Sequence, residues 1–271
     1  MLLKLIRTYL SEEGIEYVSA IKLKNCEIKK PYLLQKAGID SGKANAIIFA
    51  VPYHTGEKED RNISLYAISR DYHLYFSQLF EGLIPKLKKE FPDGTFVGFS
   101  DHSPIDEVRA AAASGLGIIG KNHLLITKKY SSFVFIGSVI TDIPCESFYE
   151  EPKECEGCGK CTSACPCGLD AEKCISALSQ KKGELSEYEA SSLISSGTAW
   201  GCDKCQLVCP HSADISETKI PFFREKRISW LTKEIINSMS DEDFAARAYS
   251  WRGKNTVLRN LEIIRNGEKN E

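Results

Sequence analysis

The alternation of apolar and polar positions divides the chain into elements before any chemistry is considered. Residues 2–13 pattern as a short amphipathic helix, and 16–21 as a strand. The unbroken apolar run 45–51 (NAIIFAV), closed by Pro52, predicts a buried strand. Residues 56–60 are polar and predict a loop. From Asp71 the period changes: Tyr72, Phe76, Leu79, Leu83 and Leu87 recur at three- or four-residue steps, as on the buried stripe of a helix. Residues 92–94 end that helix, and 95–99 predict a strand. Ser103, Pro104 and Asp106 read as a helix start, with Ser103 as cap and Pro104 in the first turn. That helix runs through the alanines to Gly115. Strands follow at 124–127 and 133–141. The tail, 226–266, is mainly helical, with Phe244, Ala248 and Trp251 followed by Leu258, Leu261 and Ile264. The fold class is therefore α+β. The expected layout is an α/β domain over 1–150, an insert rich in cysteine over 151–220 and a helical tail over 221–271.

Composition adds two limits. The 271 residues are 42% hydrophobic and 27% charged, enough for a real core. The net charge of -2 supplies no overall positive field for nucleic acid or membrane, although a local basic patch is compatible with it. The apolar runs fall short of membrane-spanning length, and the start does not read as a secretion signal. A cytoplasmic, monomeric protein with no membrane partner is expected.

The eleven cysteines change the picture most, because nine of them fall between Cys155 and Cys209. The run Cys155-x2-Cys158-x2-Cys161-x3-Cys165-Pro166 has the spacing by which bacterial two-cluster ferredoxins hold [4Fe–4S] cubanes. Three close thiolates serve one cluster, and the fourth is carried by the turn to the other. A second run, Cys202-x2-Cys205-x3-Cys209-Pro210, looks like the first with one member absent. Two clusters need eight ligands. The two runs supply seven, and Cys174 is the natural eighth, with Cys167 on the same connector as the alternative. The crossed assignment gives one cluster Cys155, Cys158, Cys161 and Cys209, and the other Cys165, Cys174, Cys202 and Cys205. Structural zinc is the plainer use of so many thiols. Cys26 and Cys145 stand apart and read as core residues. Paired clusters relay single electrons, and the roughly 150 residues before them are more than a pure carrier needs.

With these residues in view, the sequence resembles the epoxyqueuosine reductase family, and more distantly the reductive dehalogenases. The segments carrying the resemblance are 66–73 (YAISRDYH), 100–104 (SDHSP), 115–125 (GLGIIGKNHLL), 135–142 (FIGSVITD), the run through Cys165, 170–176 (DAEKCIS) and 201–210 (GCDKCQLVCP), with a weaker match at 252–260 (RGKNTVLRN). The resemblance favours Cys174 over Cys167 as the eighth ligand. It implies a nitroreductase-like α/β core joined to a ferredoxin-like domain. It also implies cobalamin beside one cluster, reduced flavodoxin or ferredoxin as electron donor, and tRNA as substrate. On this reading Asp101 is the proton donor for removal of the epoxide oxygen. The sequence departs from the family in its length, in a contracted 165–174 connector and in Ser138, where relatives commonly carry glutamate.

The resemblance places Tyr72 near the substrate or corrin edge. It gives Lys121 and Asn122 to polar groups of the cofactor, and Gly120, Ile126, Gly137 and Ile140 to the wall. Ile126 and Ile140 serve as readily in a plain core, and Lys121 and Asn122 in an ordinary polar turn. The Gly115-x-Gly117-x-x-Gly120 spacing matches a dinucleotide loop but follows a helix and precedes a strand, the wrong order for one. Asp101 or Ser103 otherwise only caps a helix. His73, His102, His123 and His211 form no zinc-catalytic pattern. Lys219, Arg224, Lys226, Arg227, Arg247, Arg252, Lys254 and Arg259 form either a phosphate-binding surface or a solvated helical face. Two rival functions remain: a reductase of a small molecule on the same framework, and a non-enzymatic electron-transfer protein.

Overall fold

The computed structural model describes residues 1–56 and 60–268. Helices and strands are mixed, and the chain forms two compact units that interleave along the sequence. The first comprises Met1–Tyr53, Tyr75–Cys158 and His211–Ile220, and the second His54–Leu74, Gly159–Pro210 and Pro221–Glu271. These units cross the points 150 and 220 at which the sequence pattern divides the chain. Long-range bonds explain the crossing. Ser216 N–H donates to the Lys129 carbonyl at 2.9 Å and Ser212 Oγ lies 2.8 Å from Ser131 Oγ, which returns 211–220 to the first unit. Within the second unit, Ser64 N–H donates to the Trp200 carbonyl at 2.7 Å.

The first unit is built on a four-stranded antiparallel sheet. Its strands are β1 (Tyr17–Lys22), β2 (Asn45–Pro52), β3 (Phe96–Ser100) and β6 (Val134–Thr141), in the spatial order β1-β2-β6-β3. All eight residues of β2 are buried, which explains why its sequence is continuously apolar rather than alternating. One face carries Ile21, Ala46, Ile48, Ala50 and Ile140, and packs against the alanines of α4 (Glu107–Ala113) and Leu34 of α2 (Pro31–Lys36). The other face meets α3 (Tyr72–Glu90). There a Cβ on Gly137 would lie 2.4 Å from a Phe76 ring atom, and one on Gly98 would lie 2.5 Å from Phe80. Helix α1 (Leu2–Glu12) buries Leu2, Leu3, Ile6 and Leu10 and lies beside β1. Each such side chain contributes roughly 1.5–3 kcal/mol. A two-stranded ribbon, β4 (Ile118–Ile119) and β5 (Leu125–Ile126), completes the unit.

The second unit is helical. It contains α5 (Lys160–Ala164), α6 (Ile175–Ser179), α7 (Glu187–Ser196), α8 (Lys204–Leu207), α9 (Pro221–Arg224), α10 (Lys233–Ser238), α11 (Asp241–Ala245) and α12 (Lys254–Glu268). Ser186 and Glu189 start α7 with a reciprocal capping box. Ile175, Leu178 and Leu193 form a small core with Ile263 against it, and α12 packs on α6, α7 and α10. The buried Asn260 pins α12 by donating to the carbonyls of Ser179 at 2.7 Å and Ala199 at 2.9 Å. Among the described residues, no helix is long and apolar enough to cross a membrane.

Four local expectations are corrected. Helix α4 begins at Glu107 under an Asp106 cap, whose carboxylate accepts from Arg109 N–H at 2.9 Å, and not at Ser103. Residues 103–105 stay outside the helix because the Pro104 carbonyl accepts from the amides of Lys29 and Lys30, and Ile105 bridges to Ile28. Tyr72 lies off the buried stripe of α3, where Tyr75 joins Phe76, and stacks on His73 at 4.2 Å between ring centres. Trp251 is 56% exposed with the Arg252 guanidinium over its ring, so it takes no part in the tail's buried stripe. The ribbon strand β4 has no counterpart in the sequence pattern. The expected loop at 56–60 falls largely on 57–59, outside the described residues.

Candidate functional site

The cysteine runs are held by short helices and tight turns. Cys161 and Cys205 ride on α5 and α8, which pack together in the second unit. Gly157 and Gly159 flank Cys158 with positive φ, 67° and 78°, so the loop reverses sharply enough to present successive thiols. Cys165 sits in a nest of backbone amides from Cys167, Gly168 and Leu169. Burial opposes ionisation of its thiol, but those amides and the Cys167 hydrogen bond hold it below the ordinary cysteine range. Cys167 Sγ lies 3.3 Å from Cys165 Sγ. Burial first, then Cys165 and Cys174, push the Cys167 thiol up to about 11. Burial also raises Cys202, which feels Cys174. Cys165, Cys167, Cys174 and Cys202 thus share one neighbourhood. Cys155 and Cys158 belong to the first unit, where Lys121 N–H donates to Cys155 Sγ at 3.3 Å. Among the described residues, no three His, Cys, Asp or Glu side chains converge as ligands to a single metal ion do. A cubane takes one thiolate per iron at separate corners, and a set of soft thiolates with N–H donors to sulfur suits it.

A buried carboxylate locks the second run. Asp203, between Cys202 and Cys205, is 5% exposed. It accepts from the Ser64 hydroxyl, from Leu65 N–H at 2.8 Å and from Arg61 Nη2 at 3.4 Å. Burial pushes its pKa up, and these three donors act against that rise. Gly201 precedes it with φ 71°, and a Cβ there would sit 2.4 Å from Ser64 Cβ. The spacing pattern concerns cysteines alone and misses Asp203, although its place between two ligand positions was a signal.

Asp101 ends β3. Its φ is 60°, and His102 N–H closes a three-residue turn onto the Ser100 carbonyl at 2.6 Å. A γ-turn of positive φ is rare and strained for a residue with a side chain. Register places Ser100 opposite Gly137, so Asp101 emerges beside Ile136 at the sheet's end. His102 is gripped at both ring nitrogens, by Lys30 Nζ at 3.1 Å and Tyr32 Oη at 2.9 Å. An ammonium only donates, so Nδ1 accepts and Nε2–H donates to the tyrosine. Beneath the turn lies Glu107, which the sequence pattern did not single out. Its Oε1 is buried without a hydrogen-bond partner.

The remaining site residues separate into groups. Gly120, Lys121 and Asn122 form the tip of the β4–β5 ribbon, and the ribbon pairs with the chain leading to Cys155: Ile119 N–H donates to Lys153 O at 2.8 Å and Cys155 N–H to Ile119 O at 2.9 Å. Ile126 and Ile140 are packed inside the first unit. At Gly137 the space for a Cβ is taken by the Phe49 and Phe76 rings, so internal packing alone requires glycine there, whereas at Gly120 it is taken by the Asn122 and Ile126 side chains. Tyr72 belongs to the second unit. Val97, Phe99, Ile119, Val134 and Ile136 are partly exposed apolar residues on the α4 side of the sheet, and Ser138 Oγ is buried beneath without a partner. Several of the basic candidates are engaged internally, among them Lys254, which donates to the Met239 carbonyl at 3.1 Å. Arg247 donates to the Lys226 carbonyl at 2.6 Å, and Arg259 to the carbonyls of Lys181 and Gly183.

No protein-family model matches the chain. It is 31% identical over 229 residues to the epoxyqueuosine reductase of Cyclobacterium marinum, covering 77% of this chain and 71% of that protein. The chain belongs to the epoxyqueuosine reductase family. Further relatives of that name are those of Gloeobacter violaceus, 35% identical over 182 residues, and Lactococcus garvieae, 30% identical over 204 residues. Their alignments cover 62% and 70% of this chain, and it spans little more than half of their length, 56% and 57%. The fold agrees with solved structures of the family. The Streptococcus thermophilus epoxyqueuosine reductase superposes with a TM-score of 0.78 at 22% identity, over 99% of this chain and 82% of that one. An epoxyqueuosine reductase bound to an epoxyqueuosine-modified tRNA stem loop gives 0.76 at 24% identity, over 96% and 80%. The Bacillus subtilis protein, with its catalytic aspartate loop swung out of the active site, gives 0.70 at 24% over the same shares.

Proposed function

We propose that the protein is a cytoplasmic oxidoreductase that removes the epoxide oxygen from epoxyqueuosine in tRNA. Taking that oxygen away as water leaves a carbon–carbon double bond and consumes two electrons and two protons. In this reading the first unit is the nitroreductase-like part, and the cysteine-bearing helices of the second are the ferredoxin-like part. Cys155, Cys158, Cys161 and Cys209 hold one [4Fe–4S] cluster, and Cys165, Cys174, Cys202 and Cys205 the other. Cys167 is left as a thiol. Reduced flavodoxin or ferredoxin supplies electrons to a monomeric enzyme.

The partly exposed apolar residues beside Asp101 and the orphaned Ser138 hydroxyl fit a large, mainly apolar cofactor with polar appendages. Gly120, Lys121 and Asn122 would hold cobalamin from the ribbon tip, Gly137, Ile126 and Ile140 would form the packed support, and Tyr72 would approach its edge. Bound there, cobalamin would supply the reducing power for epoxide opening. Asp101 gives a proton to the departing oxygen. His102, held between Lys30 and Tyr32, keeps the turn in place.

The observation that carries this reading is the strained Asp101 turn at the end of β3, in a chain of this family. The test is anaerobic reconstitution with iron, sulfide and cobalamin, followed by incubation with an epoxyqueuosine-bearing stem-loop RNA and a low-potential donor. Queuosine formation that falls about 10²–10⁴-fold in Asp101→Asn is expected. Turnover at the native rate in that variant refutes the acid role. A small-molecule reductase is the second reading, and the internal engagement of Arg247 and Arg259 favours it. Reduction of a free epoxide with no activity on the RNA would establish it.

A further inference from the structure

We propose that Glu107 is the positioning residue for Asp101: an uncharged carboxyl group beneath the Asp101 turn, whose ionisation unseats that turn. The inference rests on the acid role given to Asp101 above. It begins from a buried group that the proposed chemistry leaves unused. Glu107 opens α4 with a half-buried stem, but its Oε1 is out of solvent and has no hydrogen-bond partner. The same carboxyl group faces the Asp101 backbone amide and the Ser103 hydroxyl. A carboxylate with one oxygen buried and unserved is costly, whereas the neutral acid is tolerated.

The turn above it has to be held from outside. A residue with a side chain at φ 60° sits in a strained region of backbone space. Segment 28–32 holds one side. The amides of Lys29 and Lys30 donate to the Pro104 carbonyl at 2.8 and 3.1 Å, Ile28 bridges to Ile105, and Lys30 and Tyr32 grip His102. Glu107 lies on the other side, facing Asp101.

The charges facing Glu107 are Asp101, which is repulsive, and Lys30, which is attractive and also contacts His102. Lys29 pairs outward with Glu27 at 2.7 Å and with Asp106 at 3.9 Å. Burial first, then Asp101, raises the Glu107 pKa from an ordinary 4.5 to about 8, with Lys30, the Asp101 amide and the Ser103 hydroxyl acting against the rise. At neutral pH the group is therefore protonated. Once it ionises, a charge with one buried, unserved oxygen stands beneath the turn, and Asp101 moves away.

The test uses the reconstituted holoenzyme and epoxyqueuosine-bearing stem-loop RNA from pH 6 to 9.5. Glu107→Ala is expected to lower kcat about 10–100-fold, with KM for the RNA within about twofold. Glu107→Gln, which keeps the shape of the neutral acid, is expected to restore kcat and to lack the alkaline fall of the native enzyme near pH 8. Retention of that fall in Glu107→Gln overturns the proposal. Carbon-13 carboxyl resonances of glutamate-labelled protein, assigned by the signal lost in Glu107→Gln, give a readout independent of turnover. A Glu107 midpoint near 8 that drops by more than about one pH unit in Asp101→Asn supports the coupling. A midpoint in the ordinary carboxylate range overturns it. If no form of the enzyme reduces the RNA, the reductase reading fails, and the resonance titration still decides the Glu107–Asp101 coupling.

Discussion

Replacing Asp203 with alanine tests whether the second cysteine run is held by its own carboxylate. Asp203 is 5% exposed and takes three donors. Truncation leaves the Leu65 amide buried without an acceptor, at a cost of about 1–3 kcal/mol. Loss of the Ser64 hydroxyl bond adds about 1 kcal/mol. The Arg61 contact is long, at 3.4 Å, and its side chain is 17% exposed, so its share is about 0.5–1 kcal/mol. The total is about 3–4 kcal/mol, set against the relief of removing a buried charge. With a urea slope near 2 kcal/mol per molar, the unfolding midpoint should fall by about 1.5–2 M. Trp200 is fully buried in the same unit and its backbone bonds Ser64, so its blue-shifted fluorescence reports on this region directly. Asp203→Asn keeps one acceptor and should lose about half as much. A midpoint within about 0.3 M of the native protein in Asp203→Ala would refute the assignment of the carboxylate as the lock.

Three further outcomes follow from the same structure. After anaerobic reconstitution, Cys167→Ser should retain about eight irons per chain, whereas Cys174→Ser should fall toward about four; equal loss in both would move the eighth ligand. Gly137→Ala places a Cβ 2.4 Å from Phe76 and 2.6 Å from Phe49, so it should cost about 1–3 kcal/mol in thermal unfolding, and an unchanged Tm would show that the rings give way. Glu107, raised from 4.5 to about 8, contributes stability that is complete below pH 4.5 and is lost as pH rises through 8. Glu107→Gln cannot ionise, so between pH 5 and 9 its denaturation midpoint should gain on the native protein by an amount bounded at about 5 kcal/mol; parallel curves would show that the group is not buried as neutral acid.

Features set by neighbouring residues were legible from the chain alone. The stripe Phe76, Leu79, Leu83 and Leu87 lies on the buried side of α3, and the run 45–51 is the wholly buried strand β2, because helical and strand periods are local properties. The cysteine spacing likewise points to its chemistry without coordinates, since a short loop limits which thiols can approach one cluster. Features set by distant partners were not legible. Ser103 looks like a cap until the Lys29 and Lys30 amides take the Pro104 carbonyl, and then Asp106 takes that role. Arg247 and Arg259 look free for phosphate until backbone carbonyls from remote segments take their guanidinium groups. Asp203 and Glu107 are ordinary acidic residues in the sequence. Only the tertiary structure removes them from water, because burial is the sum of what the rest of the chain places around a side chain, and that sum has no local signature.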